Sequence, residues 1–399
     1  MIPFPVIVAF STVIDVAVAG LVLVSYRRRS NRTDRGPSLL RAAHLAAAGV
    51  AGGFACLAKL PVYTLLGVDV FGLAHLVYFD GAVGVPAIGA TVLVISGYLA
   101  IRSRPAVFSG PVTMLAGLAV STVPVSIWAS FVEPYRLVVE RAEIPVLPAR
   151  GGVATVRIGV LADLQTDRIT EYERSAVERL MAMRPDVILM PGDVFQGTRS
   201  AFERELPAIR GLLGRLDAPG GVYAVVGNVD SPQALRVMFE GTGIRLLAGD
   251  VVMASAGGCT VAIGGLEFRG AAHETRETVR ELGAMRGPGG TGGADPEHRG
   301  ADVRILLTHA PDPVLELDGS SGIDLVVAGH THGGQVQLPL IGPLAMVSRV
   351  PRATAAGGLT RVNDVWTYVS RGVGFERGNA PRVRLFCPPE ISLLTLVPK

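Results

Sequence analysis

Cysteine is scarce, with three in 399 residues: Cys56, Cys259 and Cys387. Three thiols cannot make a framework of bridges and allow one disulfide at most, and Cys56 falls inside an apolar stretch. An excess of one charge is missing too. The net charge is +3, and the arginines that stand together lie beside apolar runs rather than on a predicted binding face, so no nucleic acid is expected as a partner. What is abundant is apolar surface. Apolar residues make up 49% of the chain, more than an ordinary soluble protein carries, and the excess concentrates before about residue 132.

That N-terminal part holds four apolar runs, 2–26, 39–58, 82–101 and 107–132, each long enough to cross a bilayer. The first is followed, not preceded, by its arginines (Arg27, Arg28, Arg29, Arg32 and Arg35), the reverse of a cleaved signal peptide. The expectation is a bundle of about four transmembrane helices over 1–132. The first and third connections carry the arginines, and the second has Lys59 as its only lysine or arginine. Positive-inside then places everything after the fourth span on the extracytoplasmic side of the cell membrane. Residues 61–80, apolar and weakly charged, read as an interfacial or re-entrant loop, and the proline-bearing 133–155 as a linker.

From residue 156 the pattern changes to alternating strands and helices. Val156 to Leu161, Asp186 to Met190 and Val222 to Val226 are short buried runs, separated by stretches with helical spacing. Ile244 to Phe268 predicts short β runs of a second sheet, 285–300 a glycine-rich loop, and Val303 to Leu307 and Asp324 to Ala328 two further buried strands. This βαβ order gives an α/β domain over 156–399 with its chemistry at the C-terminal ends of the strands. Those ends carry Asp163 with Gln165, Asp193, Asn228 with Asp230, His309, and His330 with His332. Carboxylates, amides and imidazoles converging in this way suit first-row divalent ions. Two such ions about 4 Å apart can activate a water and neutralise charge on a phosphoryl group.

The motifs Asp163-Leu164-Gln165, Gly192-Asp193, Gly227-Asn228-Val229-Asp230, His309 and Gly329-His330-Thr331-His332-Gly333-Gly334-Gln335 resemble those of the calcineurin-like metallophosphoesterases, especially a membrane-anchored bacterial branch. Ser370-Arg371-Gly372 and Pro388-Pro389-Glu390-Ile391 are also similar to that branch. The resemblance implies a four-layer αββα sandwich and two divalent metal ions, Mn, Fe, Zn or similar. By similarity Asp163, Gln165, Asp193 and His332 hold the first ion. Asp193 bridges, and Asn228, His309 and His330 complete the second, with Asp193, Asn228 and His330 as the catalytic residues. The implied substrate is a phosphorylated small molecule or a lipid-linked phosphoester beside the bilayer. The implied reaction is hydrolysis of a phosphodiester, pyrophosphate or phosphomonoester bond. A catalytically weak or inactive metal-binding module of the same fold is the alternative.

Two positions depart from the family pattern. Gln165 stands where the first motif has histidine, and Val229 where the third has one that steadies or protonates the leaving group. His273 is a candidate substitute for the missing acid, and Arg371 for holding phosphate through its guanidinium.

Overall fold

The computed structural model describes residues 4, 6–14, 59, 61–103, 110–147, 155–268, 270, 272–285 and 300–398. Its contacts divide the chain into two units, Met1–Ser130 with Arg377–Arg382, and Phe131–Glu376 with Val383–Lys399.

In the first unit, helix α1 (Val70–Phe79) runs through one π-helical turn (Asp80–Gly84) into α2 (Val85–Ile101), and α3 is Gly110–Ile127. Among the described residues two helices, 70–101 and 110–135, are long and apolar enough to cross a membrane. They correspond to the third and fourth of the four expected spans. Residues 15–58, which carry the second run and about half of the first, lie outside the described residues. Residues 61–80 are also largely helical, not a loop. Their charges are accommodated locally. Asp69 accepts from the Gly72 amide at 2.6 Å as an N-cap, and Asp80 pairs with Lys59 at 3.1 Å. Gly89 is where α2 and α3 meet, since a Cβ there would stand 2.7 Å from the Ala116 carbonyl.

The second unit holds two mixed six-stranded sheets. The first has the order β1 (Val138–Leu147), β14 (Glu390–Pro398), β2 (Val156–Val160), β3 (Val187–Met190), β4 (Val222–Ala224), β5 (Ile244–Leu246). The second has the order β12 (Gly358–Val362), β13 (Val365–Val369), β9 (Leu325–Ala328), β8 (Val303–Leu307), β7 (Cys259–Gly265), β6 (Val251–Ala256). Strands β2 to β5 are parallel, and β14 enters antiparallel to β2. Two expectations need correcting. Residues 133–155, read as a linker, contain β1, which pairs in parallel with β14 at the sheet edge. Of the runs over 244–268, β5 joins the first sheet and only β6 and β7 the second.

The period of two along each strand sorts the core into layers. Val187 and Leu189 of β3 meet Ile305 and Leu307 of β8 and Leu325 and Val327 of β9 in one buried cluster between the sheets. Ile188 and Met190, on the opposite face of β3, pack with Leu180 of α4 (Glu171–Ala182), Ile209 and Leu212 of α5 (Arg199–Leu213) and Leu235 of α6 (Pro232–Phe239). Leu306 and Val326 face outward from the second sheet onto Leu282 of α7 (Ala272–Ala284). Truncating one of these fully buried side chains, such as Ile305, to alanine costs about 2–5 kcal/mol. The helices start where the sequence caps them. Thr170 and Glu173 form a capping box at α4, Thr198 caps α5, and Ser231 precedes Pro232 at α6. Parallel strands so covered direct their C-terminal ends, and the polar residues there, to one edge.

Candidate metal centre

The segments that leave β2, β3 and β9 turn sharply. Asp163, Gln165, Asp193, His330, His332 and Gln335 all have positive φ, between 38° and 70°, a region that side chains other than glycine seldom adopt. Non-glycine residues held there gather where a site over-determines the backbone. Asp163 is fixed from across the fold, its two carboxylate oxygens each 3.1 Å from the His330 amide. Asp193 Oδ1 accepts from the Val229 amide at 3.0 Å. Gly227 and Gly329 lack side chains because these carboxylates occupy the space. A Cβ at Gly227 would stand 2.1 Å from Asp193 Oδ1, and one at Gly329 would stand 2.5 Å from Asp163 Oδ2.

Asp163, Asp193 and His309 are buried together, with one ligand atom of each within 4.8 Å of the others. His309 Nδ1 lies 2.7 Å from the Pro191 carbonyl, which can only accept, so the proton is on Nδ1 and Nε2 offers a lone pair. That Nε2 lies 2.7 Å from Asn228 Oδ1, 3.1 Å from His330 Nδ1 and 3.5 Å from Asp193 Oδ2. His330 Nδ1 is itself 2.7 Å from Asn228 Oδ1. With Asn228 oriented this way, lone pairs from four side chains face one another. His332 is buried, and neither of its ring nitrogens has a hydrogen-bond partner among the described residues. A buried imidazole with both nitrogens unsatisfied is costly without a ligand. These residues fit divalent ions.

Electrostatics agree. Burial raises the Asp163 carboxyl well above the ordinary carboxylate range, and burial with the neighbouring Asp163 charge does the same for Asp193. Burial lowers His309 to about 3, and burial likewise lowers His330 and His332, the last also under the Arg384 charge. Neutral imidazoles keep their lone pairs, and a cation would replace the protons on the carboxyls. Asn228 is exposed and His330 half-buried, so the centre opens on their side.

Gln165 stands next to this set through its backbone, its amide N–H donating to the Asp193 carbonyl at 2.8 Å. Its side-chain nitrogen donates to Gln196 at 3.0 Å and to Glu376 at 3.4 Å. The two candidate substrate contacts are not brought in. His273 is exposed on α7 and is not among the groups that gather at Asp163 and Asp193. Arg371 is mostly buried and pairs with Glu140 at 2.9 Å and with the wholly buried Glu390. Asp230 accepts from the amides of Asp193, Val194 and Gly227 and so braces the second and third motifs against each other.

Sequence reasoning missed four residues here. Glu376 and Gln196 hold the Gln165 amide. Phe268 packs its ring edge-to-face on His309 and tilted against His330, with centroids 5.2 and 5.9 Å apart. Arg384, fully buried, donates to the carbonyls of Arg371, Gly374 and Cys387 and places a positive charge near Asp163 and His332. A lone arginine in an otherwise apolar run after residue 382 was the one available signal.

Residues 156–334 match the calcineurin-like phosphoesterase family. The chain carries a calcineurin-like metallophosphoesterase domain and is a metal-dependent hydrolase that uses divalent ions. It is 28% identical over 221 residues to YkuE, a metallophosphoesterase of Bacillus subtilis, covering 53% of this chain and 68% of that one. It is 29% identical over 257 residues to the phosphodiesterase YaeI of Escherichia coli, covering 62% of this chain and 84% of that protein. Identity to F40B5.2 of Caenorhabditis elegans is 26% over 271 residues, 65% of this chain but only about half, 52%, of that relative's length.

Proposed function

We propose that the protein is a membrane-anchored phosphodiesterase, with Asp163, Gln165, Asp193 and His332 holding one divalent ion and Asp193, Asn228, His309 and His330 the other. One observation carries this reading: lone pairs of His309, His330 and Asn228 face one another beside the buried Asp193 carboxylate. Bound ions of this kind activate water and neutralise charge on the phosphoryl oxygens. The chain's own residues supply position. The Val229 amide holds Asp193, and the Pro191 carbonyl fixes the tautomer of His309.

The side chain of Val229 has no proton to give a departing alkoxide. General acid assistance is typically worth about 10² to 10⁴ in rate. Activated phosphodiesters and pyrophosphate-linked substrates therefore suit this centre better than alkyl phosphomonoesters, in keeping with the name of its relative YaeI. Arg102 and Arg104 lie between the two apolar helices, and positive-inside makes that connection cytoplasmic. The domain that follows the second helix then lies outside the cytoplasm, within reach of lipid-linked phosphoesters.

The test is metal content by mass spectrometry together with hydrolysis of bis(p-nitrophenyl) phosphate and p-nitrophenyl phosphate. Wild type should bind divalent metal and favour the diester. Asp193→Ala should lose metal and at least 10²-fold in rate, more than the about 10 to 100-fold usual for residues outside the ligand set. Normal metal content in Asp193→Ala, or a metal-loaded wild type inert towards both esters, overturns the reading.

A further inference from the structure

Just after the His330 and His332 loop, β10 (Gln337–Leu338) and β11 (Gly342–Pro343) form a short antiparallel hairpin. Its tip carries no polar side chain. Leu340 is fully exposed, at 108% of its reference area, and Ile341, Leu344, Met346 and Val347 are exposed beside it, with Phe386 on the adjoining segment. Contiguous apolar side chains turned outward on a folded domain mark an interaction surface. The hairpin is firmly rooted in the metal centre. Gln337 Nε2 donates to the Gly333 carbonyl at 3.0 Å, and the Gln337 amide donates to Leu385 at 2.9 Å.

The same root is tied to the end of an apolar helical stretch. Glu133 belongs to the 110–135 helix, and its Oε1 accepts from the Cys387 amide at 2.7 Å. The Cys387 thiol in turn donates to the His332 carbonyl at 3.3 Å. Only two residues separate that stretch from β1. The point where the chain leaves its candidate span is therefore two hydrogen bonds from a metal-ligand loop, and the apolar hairpin grows from that loop.

We propose that the 338–347 hairpin seats in the surface of the bilayer, so that the centre beside it takes a phosphoester carried on a membrane lipid. An apolar hairpin at the interface gains from burying its tip in the acyl boundary, and a lipid-borne ester would meet the ligands without leaving the membrane. The substrate half of this proposal rests on the phosphodiesterase reading, and the seating does not.

The experiment uses the full chain in phosphatidylcholine and phosphatidylglycerol vesicles. Leu340→Cys and, as an exposed comparison in another turn, Asp364→Cys are labelled with an environment-sensitive fluorophore. Brominated lipids should quench the label at 340 and leave the one at 364 unaffected. Equal lack of quenching at both positions overturns the seating. So does a blue-shifted, unquenched signal at 340 that depends on protein concentration, because a second copy then covers the hairpin.

For the substrate half, Leu340→Asp with Ile341→Asp is assayed on two esters sharing one leaving group, bis(p-nitrophenyl) phosphate in solution and dioleoyl phosphatidyl-p-nitrophenol in vesicles. The variant should lose about 10-fold in kcat/KM on the lipid ester, the weight of roughly one aliphatic side chain, and keep its rate on the soluble one. Equal loss on both, or on neither, overturns it. If wild type cleaves neither ester, the phosphodiesterase reading and the substrate half fall together, while the quenching result still decides the seating.

Discussion

Gln165 and Glu376, 211 positions apart in the chain, meet through the side-chain amide of the first and the carboxylate of the second, at 3.4 Å. Gln196 closes the group, accepting from Gln165 at 3.0 Å and donating to Glu376 at 3.3 Å. A carboxylate accepts only, so the nitrogen of the Gln165 amide is turned towards Glu376 and its carbonyl oxygen away from it. In the proposed first site, this orientation set by a neighbour is what would let the amide serve where the family pattern has a histidine.

Glu376→Ala should therefore weaken the first metal site without emptying the second. A loss of about 10 to 100-fold in affinity is expected for the weaker of two binding steps, measured by calorimetric titration. Two unchanged steps would show that Gln165 is not oriented by Glu376.

Val229→His tests the missing acid. The Val229 contact with Asp193 is made by its backbone amide at 3.0 Å, so the side chain can change without removing it. Turnover of alkyl phosphodiesters should rise by up to about 10², while nitrophenyl esters change little. An equal effect on both classes would mean that the histidine acts on something other than the leaving group.

The two buried carboxyls make metal-free stability depend on pH. Burial raises both folded pKa values above their unfolded ones, so between these values the fold binds more protons than the unfolded chain. That contribution is fully present below the ordinary carboxylate range and is lost as pH rises through the raised values. Bound cations take the place of the protons. The gap in Tm between metal-loaded and chelated protein should widen from about pH 5 to about pH 8 by differential scanning calorimetry, and a constant gap would contradict it.

Arg371→Ala should cost stability and not substrate affinity. Glu390 is wholly buried, and Arg371 is its ion-pair partner. Removing one member of a buried pair typically costs about 3–5 kcal/mol, read as a lower denaturation midpoint. A higher KM at unchanged stability would restore a substrate role to Arg371.

Much of the fold was legible because buried parallel strands are written as unbroken apolar runs. Strands β3 and β9 are of that kind, β2 and β8 are broken only by Arg157 and Arg304, and the polar residues that follow each of them stand out by contrast. Strand β1 was missed for the opposite reason. Its sequence, Val138-Val139-Glu140-Arg141-Ala142-Glu143-Ile144-Pro145, mixes charge and proline into an edge strand, and only pairing with β14 explains it. The helix around Asp80 was hidden by a charge whose partner, Lys59, lies 21 positions away. Glu376, Phe268 and Arg384 escaped because they belong to no strand end. They reach the centre through loops whose course depends on the finished tertiary structure.

The parallel pairing of β1 with β14 makes residues 138–147 part of the domain's wall. A protease or an engineer who cut the chain after residue 147 to free the domain would not release an intact enzyme. The cut would strip β14 of one of its two neighbours and leave a long row of unpaired backbone groups along a hydrophobic strand, an invitation to aggregate. It would also remove Glu133 from the Cys387 amide. Any working soluble form has to begin before Glu133, where the apolar helix has yet to end.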